Sequence, residues 1–207
     1  GYRGYINLTN WVDFHLLELL SGQVDAIRLS TYFYKPRNGK LTYGPRWDYD
    51  RAWESKGDGR DDNPRAWDSG GALFAAPWWN RVLGDRDAWQ LWIDRWTKYR
   101  RTVFSRDNMF RVIDAMTNEI RTAQARENRR WPATAPRINY PNEIRIMKTW
   151  ISNRLAWIDS QIAQPPRLSS GDARVDPGFL LSIDLPTSIS TPGNVAIFYT
   201  LDGTDPR

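Results

Sequence analysis

Val24 to Trp53, VDAIRLSTYFYKPRNGKLTYGPRWDYDRAW, is the stretch on which the reading of this chain turns. It is the one place where acidic residues sit inside otherwise hydrophobic, strand-like sequence. Leu29–Tyr34 and Lys40–Tyr43 are rich in β-branched and aromatic residues, which predicts two strands. The Asn38-Gly39 step between them predicts a tight hairpin, because both residues tolerate a positive φ. A hairpin returns the chain close to where it started. The spacing therefore brings Asp25, Ser30 and Asp48 together at its open end. Two carboxylates and a hydroxyl gathered there form an oxygen-ligand set for a hard cation such as Mg²⁺. The bland alternative is that an Asp after a helix and an Asp at a strand end are ordinary turn or cap residues. Asp50 reads either as a second acidic ligand or as a cap for the segment that follows.

Upstream, Tyr5–Gly22 reads as a helix. Thr9 or Asn10 serves as its cap, and Asp13 falls in the first turn, where the helix dipole favours an acid. Trp11, Phe14, Leu16, Leu17 and Leu20 make its apolar stripe, and Gly22 ends it in a left-handed conformation. His15 is the only histidine and has no visible partner, so it reads as structural.

Downstream, Gly, Asp, Asn and Pro from Arg51 to Ala76 defeat both periodicities, and a solvated loop is expected. Helices follow from Pro77, from Asp85 to Phe104, from Ser105 to Asn128 and from Pro141 to the Gln164-Pro165-Pro166 stop. Trp89, Trp92, Trp96, Trp150 and Trp157 lie at helical spacing and are expected in the core, as are Phe110, Ile113, Met116, Ile120 and Ala123. Residues 167–172 are a Ser/Gly linker, after which composition shifts towards β.

Of the 29 basic residues only five are lysine, and the formal net charge is +5. An arginine-rich balance suits an anionic substrate and equally suits internal Arg–Asp pairing. The basic residues are interleaved with Asp and Glu and form no tract, which argues against nucleic acid as a partner. Cysteine is absent, so there is no disulfide framework and no thiolate metal site. No apolar run reaches the roughly 18 residues of a membrane span. Neither G-x-G-x-x-G nor G-x-x-x-x-G-K-[ST] occurs.

The stretch that opens this section resembles the core of the CotH kinase family, atypical kinases named for a spore-coat protein. Protein kinases carry H-R-D-x-x-x-x-N, then, after a hairpin, D-F-G. Here Asp25 is followed five positions later by Ser30, then by a hairpin and Asp48. Trp47-Asp48-Tyr49-Asp50 matches the W-D-x-D element that CotH-like sequences have in place of D-F-G. Two departures stand out: Ser30 occupies the place of an amide ligand, and Gln23-Val24 the place of His-Arg. Arg95-Trp96 and the Arg154, Trp157, Asp159 element extend the resemblance to about Pro166. Tyr199, Thr200, Asp202, Gly203, Asp205 and Pro206 resemble the signature of an immunoglobulin-like β-domain found at the C-terminus of chitobiases.

The resemblance implies an α+β, mostly α architecture. Residues 1–166 would form a kinase-like C-terminal lobe, a β-hairpin plus a helical body. Residues 173–207 would begin an incomplete Ig-like β-domain. It implies transfer of the γ-phosphate of ATP to Ser/Thr of a protein substrate. Asp25 would be the catalytic residue, Asp48 and Ser30 would contact the nucleotide site, and Asp48, Asp50 and Asp25 would hold Mg²⁺. A secreted or cell-surface location goes with it. The ends of the sequence read as cuts, so the N-terminal lobe with its ATP-gripping Lys is expected outside these residues, and residues 1–207 alone are expected to be inactive. The alternative is a pseudokinase, a non-catalytic cell-surface or carbohydrate-binding module that would bind sugar through exposed Trp faces, with Trp78, Trp79 or Trp131 as candidates for a coplanar row.

Overall fold

The first helix, α1 (Leu8–Ser21), starts one turn earlier than its Thr and Asn residues suggest, because Asn7 is the cap. The Asn7 side-chain oxygen accepts the Asn10 N–H at 3.3 Å. Asn10 instead pairs with a strand: its Nδ2 donates to the Tyr43 carbonyl at 3.2 Å, and its Oδ1 accepts the Tyr43 N–H at 2.7 Å. Asp13 consequently lies past the first turn, where it accepts a hydrogen bond from Arg95 Nη2 at 2.6 Å and one from the Tyr99 hydroxyl at 2.9 Å. Gly22 closes the helix at φ 63°, ψ 35°, a conformation that costs a Cβ-free residue little. Trp11, Val12, Phe14, Leu16, Leu19 and Leu20 are all buried, so α1 is covered on more than one face.

This computed structural model describes residues 1–55, 59–67, 73–134, 139–171, 174–185 and 197–204. The chain divides into two units, Gly1–Ile158 and Asp159–Arg207.

In the first unit, β1 (Phe33–Tyr34) pairs antiparallel with β2 (Thr42–Tyr43), with Phe33 opposite Tyr43 and Tyr34 opposite Thr42. The hairpin is present, but its strands are shorter than expected and its turn differs. The Leu29 and Ser30 N–H groups bond to the Asp25 carbonyl, at 3.0 and 3.2 Å, and so are lost to a strand ladder. Leu41 pairs with the N-terminal segment, accepting from the Asn7 N–H at 3.0 Å and donating to the Tyr5 carbonyl at 2.8 Å. Neither Asn38 nor Gly39 has a positive φ. The turn is set instead by Pro36, whose carbonyl accepts the Gly39 N–H at 3.0 Å. A Cβ at position 39 would lie 3.0 Å from the Pro36 ring, which is why glycine fits there.

The helical body comprises α2 (Pro77–Leu83), α3 (Arg86–Arg100), α4 (Arg106–Arg130) and α5 (Tyr140–Gln161). Asp85 and Ser105 cap α3 and α4 through their side chains. Trp79, Trp92, Trp96 and Trp150 are each at most 1% exposed. Trp89 and Trp157 are half-buried. Tyr43 stacks on Phe14, with ring centroids 4.0 Å apart, and so joins the hairpin to α1.

Two expectations fail here. None of the described residues of α4 is buried, and Met116 is 61% exposed. The core is already filled by tryptophans from the other helices. The apolar stripe of α4 lines an open groove of about 500 Å³ shared with Leu17, Trp53 and Met147. The second concerns the loop after Arg51. Asp61 is 1% exposed, its carbonyl accepts the Trp150 indole N–H at 2.8 Å, and burial raises its carboxyl pKa. Part of that segment therefore belongs to the interior.

In the second unit, β3 (Arg167–Leu168) pairs antiparallel with β4 (Ile183–Asp184). Residues 186–196 and 205–207, on which much of the expected β-domain rests, lie outside the described residues.

Candidate functional site

The last turn of α1 and the residues after it hold both acidic loops. Gln23, 1% exposed, reaches across with its side chain. Its Nε2 donates to the Asp48 carbonyl at 2.5 Å, and its Oε1 accepts the Asp25 N–H at 3.4 Å. Ser21 accepts the Trp53 N–H on its carbonyl at 2.9 Å. Glu18 Oε1 accepts the Tyr49 hydroxyl at 2.5 Å. Residues 48 to 53 are thus held at several points on one helix end.

Asp25 is largely buried, at 7% exposure. Its carbonyl accepts two N–H groups, as described above. Its carboxylate accepts from Arg28 Nη2 at 3.2 Å and lies 3.9 Å from Arg51 Nη1. The loop between Asp25 and Ser30 is strained: Ile27 sits at φ 69°, a region β-branched side chains avoid. Such a residue costs on the order of 1–3 kcal/mol and persists only where its surroundings enforce it. Here the Thr31 hydroxyl accepts the Ile27 N–H at 2.7 Å.

Asp48 also has a left-handed backbone, at φ 64°, ψ 58°. It precedes the short 3-10 helix Tyr49–Arg51, but its side chain makes no capping bond. Instead Oδ2 accepts the Ser30 hydroxyl at 3.2 Å. That contact separates Asp48 from an ordinary cap. Asp50 lies within the 3-10 helix, exposed, and its carbonyl accepts the Ser55 hydroxyl at 2.6 Å. Ser30 thus joins the Asp25 main-chain carbonyl, through its N–H, to the Asp48 carboxylate, through its hydroxyl, and Asp50 lies exposed two residues beyond Asp48.

The electrostatics beneath the cluster follow from burial. Desolvation raises the Glu18 carboxyl to about 7, against lowering by the Tyr49 hydrogen bond and the Arg46 charge. Desolvation and the Glu18 charge raise the Tyr49 hydroxyl. The Arg46 guanidinium stands 4.5 Å over the Phe14 ring.

Among the described residues no cluster of three or more His, Cys, Asp or Glu side chains could cage a metal ion. Ser30 and Asp48 place one hydroxyl beside one carboxylate, while the Asp25 carboxylate is engaged by Arg28 and Arg51. An exposed carboxylate beside a hydroxyl suits Mg²⁺ only as a partial set, since Mg²⁺ keeps several waters and takes one or two carboxylates together with substrate phosphates. His15 is not part of this chemistry. It is fully buried, its Nδ1 accepts the Trp92 indole N–H at 3.0 Å, and its Nε2 lies 3.1 Å from the Leu73 carbonyl. Burial lowers its pKa to about 4.

Against known sequences, the family described as CotH kinase protein matches residues 1–158. The chain belongs to the CotH kinase family. No curated protein and no solved structure matches it at a significant level. The matched region contains the whole cluster and ends within α5. The CotH-like Arg154 and Trp157 are placed by the fold: Arg154 is fully buried against the end of α1, and its guanidinium lies 5.3 Å from the Trp157 ring. Of the candidates for a carbohydrate-binding row, Trp78 and Trp131 are exposed and Trp79 is buried at 0% exposure, so Trp79 takes no part in one.

Sequence reasoning missed Gln23, Glu18, Tyr49 and the arginines that flank Asp25. A polar side chain two residues before Asp25, between the buried Ser21 and Val24, was the one available signal for Gln23.

Proposed function

We propose that this chain carries the metal-binding acids of an atypical protein kinase, which transfers the γ-phosphate of ATP to a Ser or Thr hydroxyl of a protein substrate. The observation that carries this reading is the Ser30 hydroxyl on Asp48 Oδ2, at 3.2 Å, with the Ser30 N–H on the Asp25 main-chain carbonyl. Membership of the CotH kinase family supports it.

In this reading Asp48 holds Mg²⁺, with Asp50 and Ser30 as auxiliary oxygen donors. When bound, the metal neutralises charge on the phosphates, which is most of what a phosphoryl-transfer site must do. Asp25 orients the acceptor hydroxyl and takes its proton as the oxygen–phosphorus bond forms. Arg28 and Arg51 keep the Asp25 carboxylate aimed. Residues 173–207 are proposed to open a chitobiase-type β-domain, and the protein to act at or outside the cell surface.

The test is transfer of labelled γ-phosphate from Mg-ATP to protein by the natural full-length chain and by its Asp48→Asn variant. Labelled protein with the parent and none with the variant supports the reading. Equal labelling by both, or none by either, overturns it.

A further inference from the structure

The β1–β2 ladder cannot by itself fix the distance between the two acidic loops. Its last backbone bond toward them runs from the Gly44 N–H to the Tyr32 carbonyl, at 2.9 Å. Beyond it the chain must still travel to Ser30 on one side and Asp48 on the other. Gln23 spans that gap. Its amide meets one main-chain donor, the Asp25 N–H, and one main-chain acceptor, the Asp48 carbonyl. Because the two partners have opposite polarity, only one orientation of the amide satisfies both. A buried amide left without such partners is costly, so the two contacts favour each other. Asp48 has a left-handed backbone, which aspartate tolerates better than most L residues but which still gains from a fixed partner. Gln23 binds the carbonyl of that same residue.

We propose that Gln23 is a positioning residue for metal binding: it ties the Asp48 main chain to the Asp25 main chain and so keeps the Asp48 carboxylate facing Ser30. The proposal rests on the phosphoryl-transfer reading above. Gln23 touches neither metal nor nucleotide. It acts through Asp48, as the outer partners of metal ligands commonly do. The Tyr49 hydroxyl on Glu18 braces the next residue of the same loop.

The experiment titrates Mn²⁺, as a paramagnetic substitute for Mg²⁺, into the chain and its variants and follows bound ion by electron paramagnetic resonance. Thermal unfolding is recorded alongside. Gln23→Met keeps the length of the side chain and removes both hydrogen bonds. It is expected to weaken Mn²⁺ affinity about 10–100-fold, the usual cost of losing an outer partner, and to alter the spectrum of the bound ion. A merely structural role lowers the unfolding midpoint and leaves affinity and spectrum of the folded protein unchanged, which overturns the proposal. Should the methionine variant not fold, Gln23→Glu decides. It keeps the oxygen that accepts from Asp25 and loses the donor to Asp48, and unchanged affinity there overturns the proposal equally. Asp48→Asn separates the two levels of the argument. If it abolishes binding while Gln23→Met binds normally, the Gln23 role fails and the metal site stands. If it binds like the parent, the metal site fails and the Gln23 role with it.

Discussion

The Arg154 guanidinium on α5 donates two hydrogen bonds to the Leu19 carbonyl on α1, from Nε at 3.0 Å and from Nη2 at 2.7 Å. Leu19 belongs to the last turn of α1, where its carbonyl also accepts the Gly22 N–H at 3.3 Å. The other side of the guanidinium reaches the Pro64 carbonyl at 3.1 Å and the Ala66 carbonyl. One buried side chain therefore joins α5, the loop after the acidic segment, and the helix end from which Gln23 and Asp25 emerge.

Replacing Arg154 with Met should destabilise the protein by roughly 2–4 kcal/mol, because the buried Leu19 carbonyl and the half-buried Pro64 and Ala66 carbonyls each lose a charged donor at up to about 1–3 kcal/mol and recover part of it from water or, at Leu19, from the Gly22 N–H. Arg154→Lys should recover little, since a lysine cannot serve three carbonyls in a planar fork. Urea unfolding of the three proteins measures this. A methionine variant as stable as the parent would remove Arg154 from the account of the fold.

Asp48→Asn should abolish phosphate transfer in the natural full-length chain and leave thermal unfolding nearly unchanged. Asparagine is close to isosteric and still offers an oxygen to the Ser30 hydroxyl, but the negative charge is gone. The loss should amount to the several kcal/mol attributed to metal-ion charge stabilisation. Asp50→Asn should cost less, because it is Asp48 whose carboxylate holds the Ser30 hydroxyl. Phosphate incorporation by both variants decides, and a larger loss at position 50 would reverse the ranking of the two acids.

His15 makes stability depend on pH on the acid side. Its folded pKa is lowered to about 4 from an ordinary 6.5 by burial. Below 6.5 the unfolded chain takes up a proton that the folded chain refuses. Stability from this group is therefore complete above 6.5 and falls as pH drops towards 4, by on the order of 3 kcal/mol. His15→Gln should flatten the unfolding free energy across that window. Persistence of the full slope in the variant would assign it to other groups.

Glu18 acts in the opposite sense. Its folded pKa is raised to about 7 from an ordinary 4.5, chiefly by desolvation. Stability from this group is complete below 4.5 and is lost as pH rises towards 7, again by on the order of 3 kcal/mol. Between 4.5 and 6.5 the two slopes oppose each other and the parent should look nearly pH-insensitive. Glu18→Gln keeps an oxygen for the Tyr49 hydroxyl and should unmask the His15 slope. A Glu18→Gln variant with the parent's flat profile would show that Glu18 does not titrate in this range.

The helices were legible because their causes are local. Gly22, Asp85 and Ser105 sit at helix ends for reasons of backbone geometry and side-chain hydrogen bonding that neighbouring residues settle among themselves. The contact of Ser30 with Asp48 lies at the open end of the hairpin, as the spacing suggested, but Asp25 joins it through its main-chain carbonyl, while its carboxylate is held by Arg28 and Arg51. The turn was not legible, because Pro36 set its geometry ahead of Asn38-Gly39. Periodicity placed the apolar residues of α4 on one side, but only the packing of the other helices decided that this side lines an open groove. Asn10 pairing with Tyr43, Gln23 with Asp48 and Arg154 with Leu19 join residues 33, 25 and 135 positions apart. A side chain that satisfies a distant backbone group leaves no trace in the residues beside it, so only the tertiary structure could supply those partners.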